Sequence, residues 1–221
     1  MNYQLNQQSK ICMIFDTETT GLPMKRTEGN FLSAKDIKLY DNCRLVQFSA
    51  IIYDFSSGET LEEIDYIIKP NKFTITNSRI HGITQEKALS DGIKVTALFE
   101  KLIEIFKKYQ VIKLIGHNVT FDINVTISEM FRYMKTNCLV NFPLLRIFQK
   151  IPYFCSMKNT VNICKLPRKN SSDKFKYPKL SELYRYVFRE EAKDLHNSMN
   201  DALYTLECVV ELDNFELIKL F

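Results

Sequence analysis

Five consecutive apolar residues, ICMIF at positions 11–15, run straight into two carboxylates, Asp16 and Glu18. A short uninterrupted apolar run fits a strand buried on both faces, so the rest of the chain has to cover it. Residues 45–53 (LVQFSAIIY) and 60–68 (TLEEIDYII) are also strand-like, joined by the turn-forming Ser56-Ser57-Gly58. A meander of three strands whose first member is nearly all apolar predicts a mixed sheet centred on residues 11–15. Residues 93–109 place Leu98, Leu102, Ile105 and Phe106 at helical spacing after Ser90-Asp91, a capping pair. Residues 111–115 read as another strand, followed by Gly116 and a helix to about Phe131. The remainder reads as helical at 158–164, at 180–188 and from His196 to about Leu212. Strands first and helices later place the chain in the α/β or α+β class.

At 221 residues the chain fits one domain, and a domain of this size buries roughly 70% of its unfolded surface. We read residues 1–9 as a polar tail and residues 10–221 as a single domain without repeats or linkers. The stretches 24–42 and 166–178, polar and charged, are expected to be the least ordered. Six scattered cysteines without a C-x-x-C pair read as reduced, mostly buried thiols. The opening MNYQLNQQSK has no apolar core of a secretory signal, and no apolar run approaches the ~20 residues that span a bilayer. The expected location is intracellular, in cytoplasm or nucleus, with no membrane partner.

Charge is unevenly spread. Residues 1–110 hold 14 basic and 14 acidic groups, so the net +4 arises wholly in the second half. There, residues 165–179 (KLPRKNSSDKFKYPK) carry six cations and one anion, while 180–221 carry four cations and nine anions. A basic segment beside an acidic one suggests an anionic ligand held near carboxylates; a solvated loop is the plainer alternative.

The carboxylates fall in three short contexts. Asp16 and Glu18 in FDTETTGLP lie two apart, so on a strand both point to one face. Like charges so placed need protonation or a cation between them, and oxygen ligands of that kind suit Mg²⁺ or Mn²⁺. Asp122 in GHNVTFD falls in the first turns of a helix, where the macrodipole alone favours an acid. His196 and Asp201 in HNSMNDA lie five apart, about 140° around a helix, so both reach one site only if His196 precedes the helix. D-x-E alone is uninformative, since about 0.7 occurrences arise by chance. H-x4-D and N-x2-[FY]-D are expected only about 0.15 and about 0.1 times, and both follow DTETTGLP in order.

In that combination the chain resembles the DEDDh 3′–5′ exonucleases over residues 10–210, with RIHGIT at 79–84 as a further similar segment. The resemblance implies a ribonuclease H-like mixed sheet flanked by helices. It also implies metal-dependent release of nucleoside monophosphates from the 3′ end of nucleic acid. It implies two Mg²⁺ ions, replaceable by Mn²⁺, held by Asp16, Glu18, Asp122 and Asp201, with Asp122 acting largely through water. His196 is implied as general base. Thr19, Thr20, Leu22, Ile80 and His81 are implied around the terminal nucleotide, and Asn118 beside the scissile phosphate. Gly21 would allow close backbone approach. For Leu22 and Ile80, ordinary core packing is an equal alternative. Lys174 and Lys176 are expected to track phosphates. Expected partners are the 3′ ends of single-stranded DNA, preferred, or RNA, with a polymerase as a further candidate and a monomer or homodimer as the assembly. An RNA 3′-end-trimming enzyme is the runner-up, a non-catalytic nucleic-acid or partner-binding module of the same fold is third, and a small-molecule metallohydrolase is fourth. Three histidines in all, His81, His117 and His196, are too few for a histidine-built zinc centre.

Overall fold

The computed structural model describes residues 9–24, 33–168 and 171–221; residues 1–8 of the expected tail and parts of both polar stretches lie outside the described residues. In chain order the elements are β1 (Ile11–Thr19), a 3-10 turn (Ile37–Tyr40), β2 (Leu45–Asp54), β3 (Glu59–Ile67), α1 (Ser78–His81), α2 (Gln85–Ser90) and α3 (Val95–Lys108). There follow β4 (Lys113–Gly116), α4 (Val119–Thr136), α5 (Pro143–Lys150), β5 (Tyr153–Cys155), α6 (Ser156–Asn159) and α7 (Val161–Cys164). The chain closes with β6 (Pro167–Arg168), β7 (Ser171–Phe175), α8 (Leu180–Phe188) and α9 (Ser198–Asn214).

The main sheet has the order β3-β2-β1-β4-β5. β1 pairs antiparallel with β2 and parallel with β4, so the sheet is mixed and the apolar run lies at its centre, as the sequence predicts. The turn at residues 56–58 closes with Gly58 at φ +75°, the left-handed conformation that glycine adopts freely.

Period-two alternation along β1 sorts its side chains between two cores. Met13 and Phe15 pack with Phe48, Ala50 and Ile52 of β2 against Leu98, Leu102 and Ile105 of α3. Cys12 and Ile14 pack on the opposite face against Ala202, Leu206 and Val209 of α9. Continuing the second row carries Asp16 and Glu18 onto the α9 face. Five of the six cysteines are buried and all six are free thiols. Among the described residues, no helix is long and apolar enough to cross a membrane.

Several boundaries differ from the sequence reading. Ser90 ends α2 and Asp91 caps its C-terminus, so the pair does not start α3; Lys94 stands at that N-cap. α4 runs five residues past Phe131, because Met134 and its neighbours still pack on the core. The helix α5 and the edge strand β5 are not anticipated by the sequence pattern. The polar stretch around residues 166–178 contains the antiparallel strand pair β6 and β7, whose register pairs Pro167 with Phe175.

Gly116 ends β4 where the sheet hands over to α4. A Cβ there would lie 2.9 Å from the Phe15 carbonyl oxygen and 3.0 Å from the Val119 side chain. Gly116→Ala should therefore lower stability by about 1–3 kcal/mol through overpacking. Urea unfolding measures this, and an unchanged midpoint would show that β1 and α4 are not in close contact here.

Candidate active site

Three elements meet at the end of β1. Asp16 and Glu18 lie on the strand itself, with Ser49 and Gln47 of β2 as their cross-strand partners. Ser49 Oγ donates to Asp65 at 2.7 Å, which leaves the Ser198 hydroxyl to donate to Ser49 Oγ at 2.5 Å. This fully buried contact docks the first residue of α9 beside Asp16. Asp201 lies one turn further along, on the face turned to β1.

Oxygens of Asp16, Glu18 and Asp201 all lie within 4.8 Å of one another. Asp122 approaches from the other side of the sheet. It is buried (2% exposed), and its Oδ1 accepts bonds from the Thr17 N–H at 3.1 Å and the Thr17 hydroxyl at 2.7 Å. Thr17 faces away from the Asp16–Glu18 row, so Asp122 is close enough to act on their charges without joining the tight three-residue set.

His196 stands outside α9, as the H-x4-D spacing requires for a shared site. Asn197 caps the helix, its Oδ1 accepting from Met199 N–H and Asn200 N–H. His196 is exposed and holds a left-handed φ of +69°, and its N–H donates to Asp201 Oδ2 at 3.4 Å. The loop is tied down by Tyr204, whose hydroxyl bonds both the N–H and the C=O of Lys193, and by Asn200 Nδ2 donating to Asp194 O. Thr17, Ser49, Ser198 and Tyr204 carry no signal in the sequence, because each is a common polar residue whose partner is remote.

The other expected residues divide. Leu22 is 72% exposed and Ile80 55% exposed, so neither is core packing and both are free to meet a ligand. Thr20 is buried: its hydroxyl donates to Asn42 O and accepts from Arg44 N–H. The Thr19 hydroxyl donates to Gly21 O, shaping the same turn. His81 is buried, its Nδ1 accepting from Ile83 N–H and its Nε2 facing Thr76 O, so both ring nitrogens serve its own loop. Asn118 sits half-buried at the α4 N-cap with φ +67°. His117 is bound through Ser156 Oγ and Pro178 O, and burial pushes its imidazole down to about 4. Lys174 is exposed, whereas Lys176 is ion-paired with Glu182.

Electrostatics make the acidic cluster costly. Burial, then the Asp122, Asp201 and Glu18 charges, raise the Asp16 carboxyl well above its ordinary range. Burial followed by Asp201 and Asp122 pushes Glu18 up to about 8. Asp122 and Asp201 are also raised chiefly by burial, each moderated by hydrogen bonds. Among the described residues no lysine or arginine pairs with any of the four. Asp201 Oδ1 is buried without a hydrogen-bond partner among them. A converging set of hard oxygen donors, uncompensated and with one orphaned acceptor, fits a divalent cation such as Mg²⁺ or Mn²⁺.

The raised carboxyls bind more protons folded than unfolded. Without metal, their contribution to stability is complete below about pH 4, the unfolded carboxylate range. It is lost as pH rises toward the Glu18 value of about 8. In EDTA, raising pH from 5.5 to 8 should therefore lower the wild-type melting temperature more than that of Asp201→Asn. At pH 8, MnCl₂ should raise the wild-type value and leave the variant nearly unmoved. Coincident wild-type melts in EDTA and MnCl₂ would mean that no cation is held here.

Residues 13–209 match the family model RNase T, described as exonuclease. No curated protein sequence matches the chain. Among solved structures, Escherichia coli exonuclease I with a dT13 oligonucleotide superposes with a TM-score of 0.64 at 18% identity, over 94% of this chain and 43% of that one. A zinc-bound exonuclease I–single-stranded DNA complex from the same organism gives 0.65 at 18% identity, over 95% and 42%. Cell-death related nuclease 4 gives 0.65 at 16% identity, over 93% and 64%. The chain thus spans less than half of exonuclease I and just under two thirds of that nuclease. These likenesses concern the fold, a ribonuclease H-like mixed sheet flanked by helices. The family match, running from the central strand to the last helix, decides kinship: the chain belongs to the DEDDh 3′–5′ exonucleases.

Proposed function

We propose that this protein removes nucleoside monophosphates stepwise from the 3′ end of single-stranded DNA, with two Mg²⁺ ions, replaceable by Mn²⁺, at the acidic cluster. The observation that carries the reading is the meeting of Asp16, Glu18 and Asp201 oxygens within 4.8 Å, unpaired with any cationic side chain among the described residues. Metal ions held there supply Lewis-acid chemistry for phosphodiester hydrolysis, countering charge on the attacking and leaving oxygens.

The chain's own residues do the rest. Asp16, Glu18 and Asp201 would hold one ion, and Asp16 with Asp122 would serve a second. His196 takes the proton of the attacking water; imidazole is the side chain suited to that transfer near neutral pH. Its exposed loop, tethered by Tyr204 and by its own N–H on Asp201, lets the ring swing toward a bound phosphate. Leu22 and Ile80, both exposed, flank the terminal base, and Thr19, Thr20 and Asn118 shape the cleft around it. His81 braces the Ile80 loop from inside. Lys174 faces solvent where a backbone phosphate can reach it, whereas Lys176 must first leave Glu182. DNA is favoured because exonuclease I, which this fold resembles, is solved with single-stranded DNA.

The test uses 5′-labelled DNA and RNA of equal sequence with Mg²⁺, Mn²⁺ or EDTA. A descending ladder that needs metal and Asp16, and is faster on DNA, is the expected result. His196→Ala should lose roughly 10²–10⁴-fold in rate while its Mn²⁺-dependent melting shift persists. A faster RNA ladder would make the protein a 3′-end-trimming ribonuclease. Internal cuts, or none, would overturn the reading.

A further inference from the structure

A second concavity adjoins the cleft, and no part of the reading above uses it. It encloses about 700 Å³ between the start of β2, the segment after β3 and the outer half of α4. Its charged lining is Arg44, Lys69, Lys72, Arg132 and Lys135 against Asp41 and Glu129. Five cations against two anions leave a local +3 in a chain whose whole net charge is +4.

The two arginines and two carboxylates form the floor. Arg44 grips Glu129 through Nε at 2.6 Å and a second nitrogen at 3.0 Å, and Arg132 bonds Asp41 at 2.8 Å and Ile37 O at 2.5 Å. These pairs fix the guanidinium groups in place but do not exhaust them. Arg132 Nε is buried and has no hydrogen-bond partner among the described residues. A guanidinium carries five N–H donors, so Arg132 keeps donor capacity beyond its bonds to Asp41 and Ile37. The three lysines stand exposed around the rim.

The concavity also leads somewhere. A smaller pocket of about 460 Å³ is lined by Thr20, Gly21, Leu22 and Asn42, and it shares Asp41 and Phe73 with the basic one. Phe73 therefore stands at the junction, with the Arg44 guanidinium 4.3 Å over its ring. An aromatic ring set between a base-contacting residue and a row of cations is how single-strand grooves are built: bases stack and phosphates follow the positive charge. Low-dielectric walls focus that charge inside the cavity.

We infer that this basic pocket is a second phosphate-binding subsite for the substrate strand, receiving backbone phosphates at nucleotides beyond the one at Leu22. The inference rests on the exonuclease reading and extends it. It makes chain length a determinant of affinity: a dinucleotide ends short of the pocket, and a longer strand fills it.

The test measures hydrolysis and KM for DNA of 2, 4, 8 and 12 nucleotides in wild type and in K69Q/K72Q/K135Q, three exposed positions whose change spares the Arg44–Glu129 floor. K107Q/K150Q/K219Q, three exposed lysines lining neither pocket, controls for net charge. Wild type should bind more tightly as the strand lengthens. The rim variant should lose about 10-fold or more on the 12-mer, with dinucleotide turnover unchanged. Its log K against log salt slope should become shallower by about 2, and the control should match wild type. Equal loss at every length, or no loss at all, overturns the subsite while leaving the exonuclease reading intact. Adding a nucleoside monophosphate provides a further arm. If it changes wild-type turnover equally at every strand length and leaves the rim variant unmoved, the pocket binds a free nucleotide and the strand inference fails. No cleavage of any length by wild type would instead sink the exonuclease reading itself.

Discussion

Mutual repulsion among carboxylates at the end of the central strand is the constraint on which the rest of this structure turns. Burial alone would raise the Asp16 carboxyl, and Asp122, Asp201 and Glu18 raise it further. A fold tolerates such a cluster only where neighbouring elements hold it against collapse. β1 is pinned on both sides by β2 and β4. α9 is docked by the buried Ser49–Ser198 contact, and Asp122 is held back by two bonds from Thr17. The preorganised negative site that results is suited to a divalent cation.

The sequence made the backbone of this arrangement legible because its signals are local. An apolar run ending in D-x-E specifies a buried strand and a shared face, and period-two spacing carries that face to its partner helix. The five-residue gap between His196 and Asp201 implies a loop before α9, and Asn197 provides it by capping Ser198 onward. What stayed hidden depends on remote pairs. The edge strand β5 is three residues long and joins the sheet only through β4. α5 is eight residues long and starts at Pro143, so its apolar face of Leu144, Leu145 and Phe148 spans only about two turns. His81 lies in a segment resembling a substrate-facing motif, yet burial and two loop bonds turn it inward.

Charge illustrates the same limit. Counting along the chain finds the first half neutral and places the basic surplus near residues 165–179. Folding brings Arg44, Lys69 and Lys72 of that neutral half against Arg132 and Lys135, so the positive cavity is a product of topology. Meanwhile Lys176 of the basic stretch is taken by Glu182. The basic cavity adjoins the smaller pocket lined by Leu22, the two sharing Asp41 and Phe73.

Whether the acidic cluster holds metal is the most direct question to put to this account. Crystals grown with Mn²⁺ at neutral pH, measured at an energy where manganese scatters anomalously, answer it. An anomalous peak within coordination distance of Asp16, Glu18 and Asp201 oxygens, lost in Asp16→Ala, is the expected result. Manganese bound elsewhere, with the three carboxylates bridged by protons or water alone, would contradict it.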